Sequence, residues 1–171
     1  MSNYSKIKTF DCSNGKGIRT SIFFSGCEFY CKGCFNSEVW NFNVGELFTR
    51  EVYETKIKPT ITKHIAGISI LGGEPFHPNN VETVSELVDW FAYDFPEKSV
   101  WIWTGYTWEE LMKRCKDDDL AWTIATIDVL VDGQFVEEQK DLTLRWRGSC
   151  NQRVIDVQKS LEQGKVVLYK D

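Results

Sequence analysis

Residues 22–34 read IFFSGCEFYCKGC, an apolar run followed at once by three cysteines. The cysteines are Cys27, Cys31 and Cys34, spaced C-x3-C-x2-C on a loop just past a predicted strand. Three clustered thiolates can ligate a metal, but three protein ligands complete neither a tetrahedral zinc site nor a cubic iron–sulfur cluster. An open metal position is more typical of chemistry than of scaffolding. The stretch therefore predicts a reactive metal site.

Other interpretations of the three cysteines compete with an iron–sulfur cube. A disulfide with one spare thiol requires an oxidising compartment. Inert buried cysteines do not account for three thiols in one polar, glycine-containing loop. A structural zinc would need a fourth ligand, and the remaining candidates have no partner at the usual zinc-motif spacing: Cys12, Cys115, Cys150, His64 and His77. Zinc stays open as the main alternative to the cube.

The composition is that of an ordinary globular chain, with 171 residues, 42% hydrophobic and 26% charged. This length predicts one domain over residues 1–171 and is short of the roughly 250 residues of a closed eight-stranded α/β barrel. The formal charge of −5 argues against a nucleic-acid partner, which selects a basic face. No apolar run approaches the roughly 20 residues of a membrane span, and residues 1–8 lack the apolar core of a signal peptide. We therefore expect a cytoplasmic protein with reduced cysteines and no membrane partner.

Apolar runs alternate with amphipathic segments, a βαβ rhythm that predicts a mainly parallel sheet. Strands are expected at residues 20–25, 67–71, 100–104 and 127–131. Helices are expected at residues 50–64, broken near Pro59, at residues 79–95, and from the capping box 107–110. Asn79 or Asn80 is expected to cap the second helix. Residues 142–151 are expected to be irregular, and residues 154–171 to form a short mixed tail.

A second motif, Gly72-Gly73-Glu74-Pro75, directly follows the predicted strand 67–71. In parallel α/β sheets, ligands gather at the carboxyl ends of the strands. Two glycines at such a position let a ligand approach the backbone closely. Taken alone, the four residues are equally well explained as a plain turn whose exit Pro75 sets. Together with the cysteine loop after the preceding strand, they predict a cofactor site.

The cysteine loop and the Gly-Gly-Glu-Pro segment together resemble the radical S-adenosylmethionine enzymes. The resemblance implies a [4Fe–4S] cluster with three protein ligands and one open iron that chelates the amino nitrogen and carboxylate of S-adenosylmethionine. Gly73 and Glu74 would hold the amino end of that cofactor. The resemblance thus implies the metal ligands Cys27, Cys31 and Cys34, and the cofactor-binding residues Gly33, Cys34, Phe35, Gly72, Gly73 and Glu74.

One departure from the common superfamily pattern points to a subfamily. Gly33 occupies the position before the last cysteine, where an aromatic residue is common, and Phe35 and Asn36 follow that cysteine instead. This signature resembles the activating proteins of the oxygen-sensitive, glycyl-radical class of ribonucleotide reductase. Further motifs of that family recur in order: NGKGIR at 14–19, WTGY at 103–106, VDGQF at 131–135 and RGSCNQR at 147–153. The resemblance spans roughly residues 11–157, with Cys150 where the family often has serine.

The resemblance implies an iron–sulfur enzyme that reductively cleaves S-adenosylmethionine to a 5′-deoxyadenosyl radical. The radical would then install a glycyl radical on the large chain of the anaerobic ribonucleotide reductase. A low-potential electron donor is implied as a second partner, since iron–sulfur potentials extend down to about −700 mV. The implied fold is a single α/β domain, a partial (open) β/α barrel with a mainly parallel sheet, whose open rim admits a protein loop. No catalytic residue is assigned beyond the cluster.

Two alternative functions stay open. One is activation of another glycyl-radical enzyme or modification of a small molecule, against which the signature at residues 33–36 weighs. The other is a non-catalytic zinc or iron–sulfur binding module, although a carrier cluster normally has four protein ligands. Thr104 and Asp132 are candidate cofactor contacts because they end predicted strands. The residues alone also allow Arg19 and Arg153 to be ordinary surface residues.

Overall fold

The computed structural model describes residues 1–116 and 118–171. Its strands are β1 (Asn3–Asp11), β2 (Ile18–Phe24), β3 (Glu46–Leu47), β4 (Ile65–Gly72), β5 (Ser99–Trp103), β6 (Val129–Asp132) and β7 (Arg153–Asp156). Its α-helices are α1 (Arg50–Val52), α2 (Val81–Asp94), α3 (Trp108–Arg114), α4 (Asp118–Thr126) and α5 (Val157–Gln163). Within these described ranges, no helix is long and apolar enough to cross a membrane.

The strands of the described residues form one seven-stranded sheet in the linear order β3-β1-β2-β4-β5-β6-β7. The four central strands, β2, β4, β5 and β6, run parallel, with register pairs Phe24–Gly72, Ile70–Ile102 and Trp103–Val131. Their carboxyl ends therefore lie along one edge of the sheet. This confirms the predicted α/β sheet with a parallel centre, and the linear order leaves the sheet open. Closure into part of a barrel stays a prediction.

Antiparallel strands at both sides of the sheet were not expected from the sequence. β1 pairs antiparallel with β2, β3 pairs with β1, and β7 pairs with β6. β1 alternates lysines with small and apolar residues, and only Tyr4 and Asp11 along it are fully buried. A strand that is largely exposed on one face lacks the continuous apolar run by which the central strands were recognised.

The four predicted strands correspond to β2, β4, β5 and β6, with ends that differ by one or two residues. The capping box on α3 is confirmed, since Thr107 and Glu110 exchange hydrogen bonds with each other's backbone. The segment predicted as the helix 50–64 is α1 followed by a π-helical turn at Tyr53–Ile57 and a 3-10 turn at Lys58–Thr60. Regular α-helical geometry thus ends at Val52, earlier than expected, and the last helical turn, which contains Pro59, ends at Thr60.

The two faces of the sheet differ in chemistry. One face carries isoleucines and valines of the central strands and packs against α2, whose buried stripe is Val81, Val84, Leu87, Val88 and Phe91. The opposite face carries polar and aromatic side chains, among them Arg19, Ser69 and Trp101. Val100 and Ile102 lie on the first face, and Trp101 and Trp103 on the second, as the alternation along β5 predicts.

Candidate metal centre

The cysteine loop starts where β2 ends, and it is held in place by the backbone of residues 39–40. Gly26 N–H donates to Val39 O at 2.7 Å, and Cys27 N–H donates to Trp40 O at 2.9 Å. Further along the loop, Cys34 N–H donates to Cys31 O at 3.1 Å, which closes a tight turn between these two cysteines. These backbone hydrogen bonds define the path of the loop.

Among the described residues, which include all six cysteines, no disulfide is formed. Cys27 is 8% exposed, and Cys31 and Cys34 are half-buried. Burial, with smaller contributions from negative charge on Glu74, Cys31 and Cys34, raises the pKa of the Cys27 thiol to about 11. Burial also raises the pKa of Cys31. The thiols influence one another's protonation, so the loop brings them into one electrostatic environment.

Three cysteine donors on one loop fit an iron–sulfur cube, whose irons take cysteine ligands. Among the residues that the structure describes, no three His, Cys, Asp or Glu side chains converge closely enough to enclose one metal ion. A cube places its three cysteine sulfurs on three different irons, so the sulfurs need not meet around one point. Binding would displace the protons that the buried thiols hold, since thiolates are the ligands.

Among the candidate fourth ligands for zinc, His77 is bonded to another side chain, and Cys12 and His64 lie away from the cysteine loop. His77 Nε2 is 3.1 Å from Glu28 Oε2, and its ring packs on Phe42. Cys12 and His64 are exposed and lie at the amino ends of the parallel strands, next to the start of β2 and β4. That edge is opposite the cysteine loop.

The Gly-Gly-Glu segment after β4 packs directly under the cysteine loop. Gly73 N–H donates to Phe24 O and Glu74 N–H donates to Gly26 O, both at 2.8 Å. A Cβ atom at Gly73 would lie 2.4 Å from Gly26 O, and one at Gly72 would lie 2.4 Å from Phe24 O. Both glycines therefore allow this close approach of the chain to itself. Their role as contacts for a cofactor stays a prediction.

The Glu74 side chain connects the ends of β4 and β5. It is 1% exposed, and its Oε1 accepts hydrogen bonds from Thr104 Oγ1 at 2.7 Å and Phe76 N at 2.8 Å, while Oε2 accepts one from Gly105 N at 2.7 Å. Burial raises the pKa of Glu74 to about 7, although these hydrogen bonds oppose the rise. The carboxylate thus fixes the loop geometry, and the backbone of Gly73 and Glu74 faces the cysteine loop.

Asn80 is a residue of the site that the sequence analysis assigned wrongly. Asn80 precedes α2, but its side chain makes no capping hydrogen bond to that helix. Its Nδ2 instead donates to Ser25 O at 3.0 Å and to Glu74 O at 2.9 Å. One buried amide therefore ties the cysteine loop to the Gly-Gly-Glu segment. No local sequence pattern distinguishes this role from that of a helix cap.

The two residues that flank Cys34 differ in their surroundings. Gly33 has φ +73°, and a Cβ there would lie 2.8 Å from Glu137 Oε1. Phe35 is 93% exposed, so its ring lies on the surface beside the loop. Asn36 Nδ2 contacts Gly72 O at 3.5 Å, which joins the cysteine loop to the second motif.

Asp132 and Arg153 form an ion pair at the end of β6. Arg153 Nε donates to Asp132 Oδ1 at 3.0 Å, and Asp132 Oδ2 also accepts from Trp108 N at 2.7 Å. These hydrogen bonds and those to Glu109 raise the pKa of Arg153. Arg153 is therefore not an ordinary surface residue. Asp132, fully buried, holds the first turn of α3 in place.

Arg19 is not a surface residue either, and it lies far from the cysteine loop, at the amino end of β2. It is completely buried, with its Cζ 5.3 Å from the centre of the Trp101 ring. Burial lowers the pKa of Arg19 to about 10. Its guanidinium donates to side-chain or backbone oxygens of Lys16, Ile68, Ser69 and Ser99. All the hydrogen-bond donors of the guanidinium are used. The motif at residues 14–19 therefore has a structural role at the end of the sheet opposite the cysteine loop.

Comparison with known proteins identifies a matching family model and several similar proteins. The model of the 4Fe-4S single cluster domain matches residues 13–155. The anaerobic ribonucleoside-triphosphate reductase-activating protein of Vibrio cholerae is 42% identical over 153 residues, which are 88% of this chain and 95% of that protein. The proteins of the same name from Haemophilus influenzae and Enterobacteria phage T4 are 42% and 36% identical over 154 residues, covering 95% and 92% of their lengths. The matched region includes the cysteine loop, the Gly-Gly-Glu segment and the Asp132–Arg153 pair.

Proposed function

Because the chain belongs to the family of anaerobic ribonucleoside-triphosphate reductase-activating proteins, we propose that it reductively cleaves S-adenosylmethionine and installs a glycyl radical on the large chain of the anaerobic ribonucleotide reductase. The observation that carries this proposal is the convergence of three free cysteines with the Gly-Gly-Glu segment at the carboxyl edge of a parallel sheet. The proposed catalytic unit is a single domain over residues 1–171.

In this proposal Cys27, Cys31 and Cys34 each ligate one iron of a [4Fe–4S] cluster and leave the fourth iron open. The cluster and S-adenosylmethionine together supply the 5′-deoxyadenosyl radical, which is chemistry that no amino-acid side chain provides. The backbone of Gly72, Gly73 and Glu74 would bind the amino end of the cofactor. Gly33 and Phe35 would lie at the edge of the cofactor site.

The contribution of the chain's own residues is to hold these groups in fixed positions. Glu74 and Asn80 connect the cysteine loop, the Gly-Gly-Glu segment and the loop after β5 through buried hydrogen bonds. A radical is productive only where the reacting atoms are already close and oriented, so rigid support lowers the entropic cost of the reaction. Buried Cys27 places part of the cluster away from water.

The surface next to the cysteine loop suits a protein substrate. Phe35 and Tyr30 are both exposed there, at 93% and 61%. Exposed aromatic side chains are enriched where proteins contact one another. We propose that the reductase loop that carries the glycine approaches across these residues, and that a low-potential electron donor reduces the cluster. We also propose a cytoplasmic location, in keeping with six reduced cysteines.

The first test replaces the cysteines one at a time with alanine. After anaerobic reconstitution with iron and sulfide, the alanine variants at Cys27, Cys31 and Cys34 should each lose the four-iron cluster and the cleavage of S-adenosylmethionine, because two thiolates hold a cube poorly. Iron and sulfide content, electron paramagnetic resonance and release of 5′-deoxyadenosine are the measurements.

Cys12→Ala, Cys115→Ala and Cys150→Ala are the matched controls and should keep both the cluster and the cleavage activity. A Cys31→Ala protein with a complete four-iron cluster and normal cleavage would contradict the ligand assignment. A wild-type chain that binds one zinc and no sulfide would support the binding-module alternative.

A further inference from the structure

A segment after β6, residues 134–138, lies against the tip of the cysteine loop. Cys31 Sγ is 4.0 Å from Gln134 Oε1, within hydrogen-bonding distance for sulfur. Lys32 Nζ is 3.0 Å from Glu137 Oε2 and 3.7 Å from a carboxylate oxygen of Glu138. Three consecutive loop residues, 31 to 33, thus face this segment, because Gly33 also abuts Glu137.

Side chains of the motif at residues 147–153 hydrogen-bond to the backbone of the same segment. Asn151 Nδ2 donates to Gln134 O at 2.8 Å, and Gln152 Nε2 donates to Gly133 O at 2.9 Å. On the side facing α3, Gly133 N–H donates to Tyr106 O at 3.1 Å. The backbone on both sides of Gln134 is therefore fixed, and its exposed side chain reaches Cys31 from this fixed position.

The chemistry of the Cys31–Gln134 contact changes when the sulfur binds iron. A thiol donates its proton to the amide oxygen, whereas a metal-bound thiolate has no proton and can only accept. Gln134 can satisfy a thiolate by turning its amide through half a turn, so that Nε2–H points at the sulfur.

We propose that Gln134 is a positioning residue that donates a hydrogen bond to the cluster-bound sulfur of Cys31 and thereby raises the reduction potential of the cluster. The proposal rests on the cluster ligation proposed above. Hydrogen bonds to cysteine sulfur withdraw electron density from the ligand, and this stabilises the more negative, reduced cluster. The cluster would thus be easier to reduce by the partner donor.

The experiment compares the reduction potential of the reconstituted cluster in three variants. Gln134→Leu keeps most of the side-chain volume and removes the donor. Gln134→Glu has the same shape, cannot donate when ionised, and adds a negative charge. Gln139→Leu is the matched control, because Gln139 is an exposed glutamine on the neighbouring turn, five residues further along the chain. Anaerobic redox titration, followed by electron paramagnetic resonance of the reduced cluster, gives the potential without relying on activity.

We expect Gln134→Leu to lower the ratio of reduced to oxidised cluster at a fixed potential by about threefold, which is about 28 mV for a one-electron couple. Gln134→Glu should lower the potential further, and Gln139→Leu should match the wild type. An unchanged potential in Gln134→Leu, with full iron and sulfide, would overturn the inference. Loss of the cluster in Gln134→Leu alone would also overturn it, since the residue would then be structural. In either case the ligation is tested separately by Cys31→Ala.

Discussion

Asp11 is buried at the end of β1, on the face of the sheet opposite α2. Its carboxylate accepts hydrogen bonds from four neighbours: Lys8 Nζ at 2.8 Å, Ser13 N at 3.0 Å, Asn14 Nδ2 at 2.6 Å and Ser21 Oγ at 2.6 Å. Burial alone would raise the pKa of Asp11, but these hydrogen bonds lower it from 3.8 to about 2. The charged form is therefore favoured in the folded protein.

The lowered pKa predicts how stability depends on pH. A carboxyl whose pKa is lower in the folded than in the unfolded state stabilises the fold above pH 3.8, and this contribution is lost as the pH falls through about 2. Its size at neutral pH is about 2 kcal/mol. Asp11→Asn should therefore reduce the free energy of unfolding in urea by about this amount near pH 7, and the difference should shrink steadily towards about pH 2.5.

Asp89→Asn is the control for this prediction, because Asp89 is exposed on α2. The free energy of unfolding of Asp89→Asn should differ little from that of the wild type, both near pH 7 and at about pH 2.5. A constant difference between Asp11→Asn and the wild type across the whole pH range would show that the loss comes from packing rather than from charge.

At the scale of elements, the loops after β2 and β4 support each other through backbone contacts. The two glycines at the end of β4 make room for the Phe24–Gly26 backbone, and the room that they were expected to make for a ligand stays a prediction. A side chain at Gly73 would push directly on Gly26, which precedes the first cysteine. The cysteine loop and the Gly-Gly-Glu segment therefore form one structural unit.

This packing predicts a coupled effect of substitution at Gly73. Gly73→Ala should displace the Gly26–Cys27 backbone, destabilise the protein by about 1–3 kcal/mol as overpacked sites do, and lower the iron content after reconstitution. If Gly73 only lined a cofactor pocket, the substitution would reduce the affinity for S-adenosylmethionine and leave the stability and the iron content unchanged. Thermal unfolding and iron-to-protein ratio measure the two effects on the same samples.

Gly164→Ala is the control, because it introduces backbone strain without a steric clash. Gly164 ends α5 at φ +63°, and a Cβ there would meet nothing within 4 Å. It should cost about 1 kcal/mol of stability from its left-handed backbone and leave the iron content unchanged. Full iron content and wild-type stability in Gly73→Ala would refute the coupling of the two loops.

The elements differ in how far the sequence predicted them. Buried parallel strands and α2 were recognisable because their apolar periodicity is set by local burial. β1 and β7 were missed because exposed or short antiparallel strands depend on neighbours distant in sequence. The same reason explains Asn80 and Arg19, whose partners Ser25, Glu74 and Ser99 lie 6 to 80 positions away. The three cysteines and the Gly-Gly-Glu motif were found because their chemistry is local. The sequence also showed the motif at 131–135, but it did not indicate that Gln134 lies against Cys31.

At the scale of the whole molecule, the parallel register brings four loops to one edge of the sheet. The cysteine loop, the Gly-Gly-Glu segment, the loop at residues 104–107 and residues 133–138 follow β2, β4, β5 and β6 in turn. Arg19 lies at the opposite, amino end of these strands, and the Trp101 ring that it contacts packs with Trp146 and Tyr169 on the face of the sheet opposite α2. In the proposed function, the protein substrate approaches from the edge that carries these four loops.

The central claim is that the radical made at this edge is delivered to the anaerobic ribonucleotide reductase. The direct measurement is electron paramagnetic resonance of the reconstituted, reduced protein with S-adenosylmethionine, mixed either with the reductase large chain of its own organism or with a pyruvate formate-lyase. We predict a stable glycyl-type doublet only with the reductase, and cleavage of the reductase backbone at that residue when oxygen is admitted. A doublet on the lyase and none on the reductase would contradict the claim, while leaving the cluster chemistry intact.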